Sequence, residues 1–115
     1  MSKYHNRKVT EDGYTFDSIA EYNRYRELKT MQNNGDITDL KIHPPYILQY
    51  DFYSHGKHIR EIKYIADFSY IDFSAHTTII EDVKGVKTAE FKIKEKMFLK
   101  YLSDYSDVEF RLVQA

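Results

Sequence analysis

Two long β-rich runs lie almost end to end in the middle of the chain. The runs "REIKYIADFSYIDF" (60–73) and "TTIIEDV" (77–83) are separated only by "SAH". Both are rich in β-branched and aromatic residues, which favour strands. Because parallel neighbours need a much longer connection, so short a link favours an antiparallel pair. We therefore predict that these runs form the core strands of a sheet.

A helix is predicted on each side of this pair. The segment "SIAEYNRYRELKTMQNN" (18–34) has apolar residues at helical spacing, an N-cap at Asp17 or Ser18, and Gly35 as its stop. The segment "KTAEFKIKEKMFLKYL" (87–102) predicts a second, lysine-rich amphipathic helix. The closing "DVEFRLV" (107–113) is typical of a final strand.

The remaining segments predict short β elements and turns. Asp12-Gly13 at the centre of residues 7–16 indicates a hairpin. Residues 36–52 are strand-like on both sides of Pro44-Pro45, a pair that marks a break or an edge, and "YSHGKHI" (53–59) indicates a turn. The predicted order is hairpin, α, β, β, β, α, β. We expect one α/β domain, residues 1–115, with a mixed central sheet flanked by helices.

Composition and charge bound the function classes. The chain has 115 residues, no cysteine and a net charge of −1. Thiolate metal sites and disulfides are excluded, and there is no run of the roughly 18 apolar residues that a membrane span requires. We expect a cytoplasmic protein, in the host cell if it is phage-encoded, with no membrane partner. The charge is uneven, since residues 84–100 contain six lysines and two glutamates.

Acidic residues and a lysine stand at the ends of the two core strands. Side chains alternate along a strand, so Asp82 and Lys84 should share one face while Glu81 points to the other, as a structural residue. Asp67 lies in an otherwise apolar row, where a buried charge needs a partner or a cation. If the strands pair, Asp67 and Asp82 converge. Two carboxylates and a lysine suit Mg²⁺ or Mn²⁺ together with a phosphate.

These residues resemble a known signature. "AD" at 66–67 followed by "DVK" at 82–84 resembles the PD-(D/E)XK nuclease signature, with Ala66 in place of its proline. The α-β-β-β-α-β order is similar to the restriction-endonuclease-like core of that superfamily. The motifs "GYTFDSxxExxR" (13–24), "YIADF" (64–68) and "EDVKG" (81–85) more closely resemble a family of small phage-encoded proteins of unassigned function, often suggested to be endonucleases.

The resemblance implies roles for particular residues. Asp67 and Asp82 would bind the metal ion and Lys84 would assist the attack on the phosphodiester bond. Glu21 has two readings. Ser18-x-x-Glu21 is a capping box, whereas many of these nucleases take a third metal carboxylate from the first helix.

Basic residues near these motifs are candidates for contact with DNA phosphates. They are Lys92, Lys96, Lys87, Arg24, Lys8 and Arg7, with Lys3 as a further N-terminal cation. Lys92 and Lys96 form the best pair because i and i+4 share a helix face. The histidines at 43, 55 and 58 have no metal-ligand spacing and are expected to be loop residues.

The leading hypothesis is a metal-dependent DNA endonuclease that hydrolyses the phosphodiester bond in line with a metal-activated water and without a covalent intermediate. Resemblance to junction-resolving relatives implies branched DNA, and a two-fold substrate would imply a homodimer. Two alternatives remain open. One is a non-catalytic DNA-binding accessory protein of phage DNA processing, and the other is a phage structural or interaction protein.

Overall fold

The structure is a computed structural model that describes residues 7–115. Its elements in chain order are β1 (Val9–Glu11), β2 (Tyr14–Phe16), α1 (Ile19–Asn33), β3 (Ile37–Ile42), β4 (Pro45–Gln49), β5 (Phe52–Ser54), β6 (Lys57–Ile59), β7 (Ile62–Ile65), β8 (Phe68–Asp72), β9 (Thr77–Lys84), α2 (Ala89–Leu102) and β10 (Val108–Gln114).

Four strands form the central sheet in the order β10-β9-β8-β3. Strand β8 runs antiparallel to both β3 and β9, whereas β10 lies parallel to β9. The parallel pair is possible because α2 carries the chain back along the sheet between them. The sheet is therefore mixed, and the predicted α/β class is confirmed. The order α-β-β-β-α-β holds when only the strands of the central sheet are counted.

The two helices lie on opposite faces of the sheet. Ile79 belongs to the core that contains Tyr25 and Leu28 of α1. Ile80, the next residue of β9, belongs to the core that contains Phe91 and Phe98 of α2. Successive residues of a strand point to opposite faces, so β9 is covered on both sides. This position explains why its apolar run is continuous.

Side-chain caps fix where the helices begin. The Ser18 hydroxyl accepts a hydrogen bond from the Glu21 amide, and the Thr88 hydroxyl accepts one from the Phe91 amide. Each bond satisfies one of the amides that a helix N-terminus leaves without a partner. The predicted helix at 18–34 therefore agrees with the observed bounds to within one residue at each end.

The predicted strand at 60–73 is wrong in one respect, because it is two strands. The chain leaves one sheet at Ala66-Asp67 and enters another: β7 pairs with β4, whereas β8 pairs with β3 and β9. The predicted turn at 53–59 is likewise a short hairpin of β5 and β6 around Gly56, whose φ of 78° suits glycine. The break at Pro44-Pro45 is confirmed, since β3 ends at Ile42.

The N-terminal hairpin is confirmed as β1 paired with β2 around Asp12-Gly13. Within residues 7–115, neither helix is long and apolar enough to cross a membrane.

Candidate metal centre at the edge of the sheet

Three strand ends meet at one edge of the central sheet. The pairing aligns one residue from each of β3, β8 and β9, namely Ile42, Phe68 and Glu81. The next residue outward on each strand is ionisable: His43, Asp67 and Asp82. The His43 amide donates a hydrogen bond of 2.9 Å to the Asp67 carbonyl. Strand register therefore brings together three residues that are 15 to 39 positions apart in sequence.

The two aspartates come together as the strand pairing predicts. The Asp67 amide donates a 3.1 Å hydrogen bond to the carbonyl of Glu81, the residue before Asp82. The Val83 amide donates a 2.7 Å hydrogen bond to Oδ2 of Asp67, and the Tyr64 hydroxyl donates to Oδ2 of Asp82. Asp82 is only 2% exposed. One oxygen of each carboxylate is thus held by the protein, and the other oxygen of Asp82, Oδ1, lies 3.5 Å from Nζ of Lys84.

The proximity of these carboxyls has an electrostatic consequence. Burial, the hydrogen bond with Asp82 and the charge of that carboxylate together raise the pKa of Asp67 to about 9. Two neighbouring carboxylates in a partly dry site cannot both carry charge without a compensating cation. In the absence of a metal ion the pair therefore holds a proton at neutral pH.

Lys84 projects on the same side of β9 as Asp82, as strand alternation predicts. Its Nζ atom lies 3.5 Å from Oδ1 of Asp82 and 4.4 Å from the centroid of the Phe91 ring. Packing on an aromatic face restricts the lysine side chain. The ammonium group is therefore held next to the carboxylate oxygen that Tyr64 does not occupy.

Glu21 both caps the start of α1 and contacts His43. Its amide is capped by Ser18, and its Oε1 atom accepts a 3.0 Å hydrogen bond from the amide of Asp17, where a capping box would use that of Ser18. Its Oε2 atom lies 2.8 Å from Nε2 of His43. The side chain is nearly fully buried. The first turn of α1 therefore delivers a carboxylate to the sheet edge.

Glu21, His43 and Asp67 could hold a metal ion together. One ligand atom from each lies within 4.8 Å of the other two. We expected His43 to be a loop residue, and it does follow the end of β3, with a positive φ of 54°. Nothing in its local sequence marks it as a ligand. Only the pairing of β3 with β8 brings it next to Asp67.

The donor set is suited to a divalent cation. Carboxylate oxygens are the ligands of Mg²⁺ and Mn²⁺, and an imidazole favours Mn²⁺ and later transition metals over Mg²⁺. The raised pKa of Asp67 indicates that a further negative charge is unfavourable at this position, so a bound cation would be stabilised there. The residues present therefore fit the metal ion that the sequence implies.

Glu81 lies on the opposite face of β9 and has a structural contact. Arg24 donates from Nε to its Oε1 atom at 2.8 Å and from Nη2 to its Oε2 atom at 2.7 Å, and the Tyr70 hydroxyl also donates to Oε2. The hydrogen bonds to Glu81 raise the pKa of the Arg24 guanidinium. Arg24, predicted to contact DNA, is thus held by Glu81 inside the protein and also bonds Glu27.

Comparison with known proteins identifies the family. The family described as Protein of unknown function (DUF1064) matches residues 1–114. The chain belongs to the DUF1064 family. No curated protein and no solved structure is detectably similar to it. The match spans every residue of the centre in this DUF1064 protein, from Glu21 to Lys84.

The lysines in and just before α2 of the DUF1064 protein differ in their surroundings. Lys92 and Lys96 are exposed one helical turn apart. Lys87 lies before the helix, and its Nζ atom is 3.2 Å from Oε1 of Glu95. Lys92 and Lys96 therefore share an exposed helix face, and their contact with phosphate stays a prediction.

Arg7 and Lys8 are exposed and immediately precede β1. The first residue of that strand, Val9, pairs with Phe16, whose ring centroid is 6.0 Å from that of His43. The two cations of the DUF1064 chain therefore approach the same end of the sheet as the centre. Lys3 lies outside the described residues.

Proposed function

We propose that the protein is a metal-dependent DNA endonuclease of the PD-(D/E)XK type. The observation that carries the proposal is the convergence of Asp67, Asp82 and Lys84 at the ends of the paired strands β8 and β9, with Lys84 Nζ 3.5 Å from Oδ1 of Asp82. Salt-bridge clusters on protein surfaces seldom bury two acids against each other, because the charged pair is costly without a cation.

Each side chain has a distinct part in the proposed reaction. Asp67 and Asp82 would hold the cation, with Lys84 next to the Asp82 carboxylate. Bound Mg²⁺ or Mn²⁺ would supply Lewis-acid stabilisation of the scissile phosphate and lower the pKa of a water molecule. Lys84 places its ammonium group next to Asp82, where it stabilises negative charge that develops on the phosphate.

Glu21 and His43 complete the centre in this proposal. The Asp17 amide donates a hydrogen bond to Oε1 of Glu21, and Oε2 of Glu21 contacts His43. The pair supplies one further oxygen and one nitrogen next to Asp67. Lys92 and Lys96, with Arg7 and Lys8, would contact phosphates on either side of the scissile bond. Branched DNA is the proposed substrate form, and its two-fold symmetry would require a homodimer.

The test is cleavage of fluorescently labelled DNA by the full chain. Linear duplex, single-stranded and four-way-junction DNA are incubated with Mg²⁺ or Mn²⁺ and wild type, Asp82→Asn or Lys84→Ala. The exposed Asp104→Asn provides a matched control. We expect cleavage by wild type and the control, and a loss of at least about 10³-fold in both site variants, with DNA binding retained in Ca²⁺.

Two outcomes contradict the proposal. If no DNA form is cut by a folded, DNA-binding wild type with either metal ion, the protein is a non-catalytic DNA-binding module. If Lys84→Ala and Asp82→Asn cut as well as wild type, the nuclease centre lies elsewhere in the chain.

A further inference from the structure

A β-ribbon begins and ends at the proposed nuclease centre. Residues 45–65, which comprise β4, β5, β6 and β7, are inserted between His43 and Asp67. At its base the His43 amide bonds the Asp67 carbonyl at 2.9 Å, and the Ala66 amide bonds the Pro44 carbonyl at 3.1 Å. The ribbon is therefore tied at both ends to residues of the centre.

The inner half of the ribbon is anchored on α2. The ring centroids of Tyr46 in β4 and Tyr64 in β7 lie 4.9 Å and 4.8 Å from that of Phe98. Phe98 is fully buried. This aromatic packing gives the ribbon a fixed direction relative to the sheet.

The outer half of the ribbon places aromatic rings in solvent. Tyr50, Phe52 and Tyr53 are 70%, 46% and 73% exposed. The Tyr53 ring lies 5.0 Å from the ring of His58, on the opposite strand of the hairpin. Exposed aromatic rings grouped on one projecting element are typical of a binding surface, because they leave a large apolar area in water.

The charges around these rings favour a polyanion. Lys57, Arg60 and Lys63 are exposed on the returning strands. The same stretch contains two acids. Oδ2 of Asp51 lies 2.8 Å from Nε2 of His58, and Glu61 is exposed. Cations interleaved with aromatic rings are the pattern that binds a nucleic-acid strand through its phosphates and base faces together.

We propose that the outer ribbon, residues 50–63, binds unpaired bases of the DNA strand that enters the nuclease centre. The inference rests on the proposed function and adds a substrate class to it, DNA with a single-stranded segment next to the cleavage point. Tyrosine and phenylalanine rings stack on bases whose faces are free, which paired bases in a duplex are not.

The length of the ribbon sets where the unpaired segment lies. Tyr53 follows Pro45 by eight positions in the sequence, which corresponds to at most about 26 Å at 3.3 Å per residue. The ribbon therefore recognises bases within a few nucleotides of the scissile bond, and it does not reach a distant site.

The test measures DNA binding without cleavage. Anisotropy of a fluorescent 30-base-pair duplex and of the same duplex with a six-nucleotide gap is measured in Ca²⁺. Wild type is compared with Phe52→Leu/Tyr53→Leu, which keeps apolar bulk but removes both rings. Tyr105→Leu, at an exposed tyrosine outside the ribbon, is the matched control. Melting temperatures verify that all three proteins fold.

We expect the double variant to bind gapped DNA at least tenfold more weakly, with duplex affinity changed less than threefold and the control unchanged. A second readout uses Tyr53→Trp, the only tryptophan in the chain, whose emission should be quenched by gapped DNA and not by duplex. These effects do not depend on catalysis, so they separate the ribbon from the nuclease proposal.

Two results would overturn the role of the ribbon. One is equal binding of gapped DNA by wild type and the double variant, even if both cut DNA. The other is a wild-type dimer that the double variant dissociates in sedimentation, without a difference between gapped and duplex DNA. In that case the rings bind a second copy of the chain.

Discussion

The Nε2 atom of His43 lies 2.8 Å from the Oε2 atom of Glu21. One residue follows a strand and the other belongs to the first turn of a helix, and 22 positions separate them. Their contact joins α1 to the edge of the sheet next to Asp67. An imidazole at this place would give the proposed metal centre a nitrogen donor, which an all-carboxylate site lacks.

His43→Ala should change the metal preference of the protein. Loss of the nitrogen ligand is expected to weaken Mn²⁺ binding by about 10- to 100-fold and Mg²⁺ binding by much less, since Mg²⁺ relies on oxygen ligands. Isothermal titration calorimetry with each ion measures both affinities. His76→Ala, in an exposed turn, is the control. Equal weakening for both ions would show that His43 only positions Glu21.

The stability of the metal-free protein should fall as pH rises. The pKa of Asp67 is raised from 3.8 to about 9 by burial and by Asp82. Between those values the folded chain keeps a proton that the unfolded chain has lost, so the free energy of unfolding decreases by up to about 1.4 kcal/mol per pH unit. Urea denaturation in EDTA at pH 6 and 8 measures the fall.

Two comparisons test this assignment. Asp67→Asn should flatten the pH dependence, because the amide does not titrate. Saturating Mg²⁺ should also reduce it in wild type, because the cation replaces the proton. Parallel pH profiles for wild type and Asp67→Asn would assign the dependence to other groups.

Arg24→Met should destabilise the fold strongly. Glu81 is fully buried, and Arg24 is its cationic partner, so the variant leaves a buried charge with only the Tyr70 hydroxyl. We expect a loss of about 3 kcal/mol in urea denaturation. Addition of Glu81→Gln should recover part of it, because the unpaired charge is then gone. Glu27→Gln, at the exposed end of the same contact, should change stability by less than about 0.5 kcal/mol.

Lys92→Ala/Lys96→Ala should weaken DNA binding in a salt-dependent way. Each lysine that neutralises a phosphate releases about 0.9 counterion from duplex DNA, so the slope of log affinity against log salt should fall by about 2 in magnitude. Anisotropy titrations in Ca²⁺ at four salt concentrations measure it. Lys87→Ala should change the slope less, because Lys87 already pairs with Glu95. An unchanged slope in the double variant would remove α2 from the interface.

The sequence predicts most of the fold because its main elements have strong local signals. The helix cap at Ser18 and the alternation of Glu81, Asp82 and Lys84 need no tertiary information. The split of the 60–73 run was not predictable in this way. Both halves have strand composition, and propensity does not indicate that the partner strands change at Asp67.

The same limit applies to the centre. His43 has no spacing that marks a ligand, because its place depends on the register of β3 on β8. In the sequence, nothing distinguishes Arg24 from a solvent-exposed helix residue, because its partner Glu81 is 57 residues away. Residues whose role depends on a long-range contact are therefore the ones that the sequence leaves undetermined.

The ribbon keeps the residues proposed to bind DNA bases apart from the residues proposed to cut the DNA. Gln49 and Ile62 are paired across it, so the intervening stretch leaves and re-enters the fold at adjacent points. Insertions, deletions or replacement of that stretch need not disturb the sheet. Evolution, or an engineer, could therefore exchange the segment proposed to bind unpaired bases while the strand ends proposed to perform the chemistry stay the same.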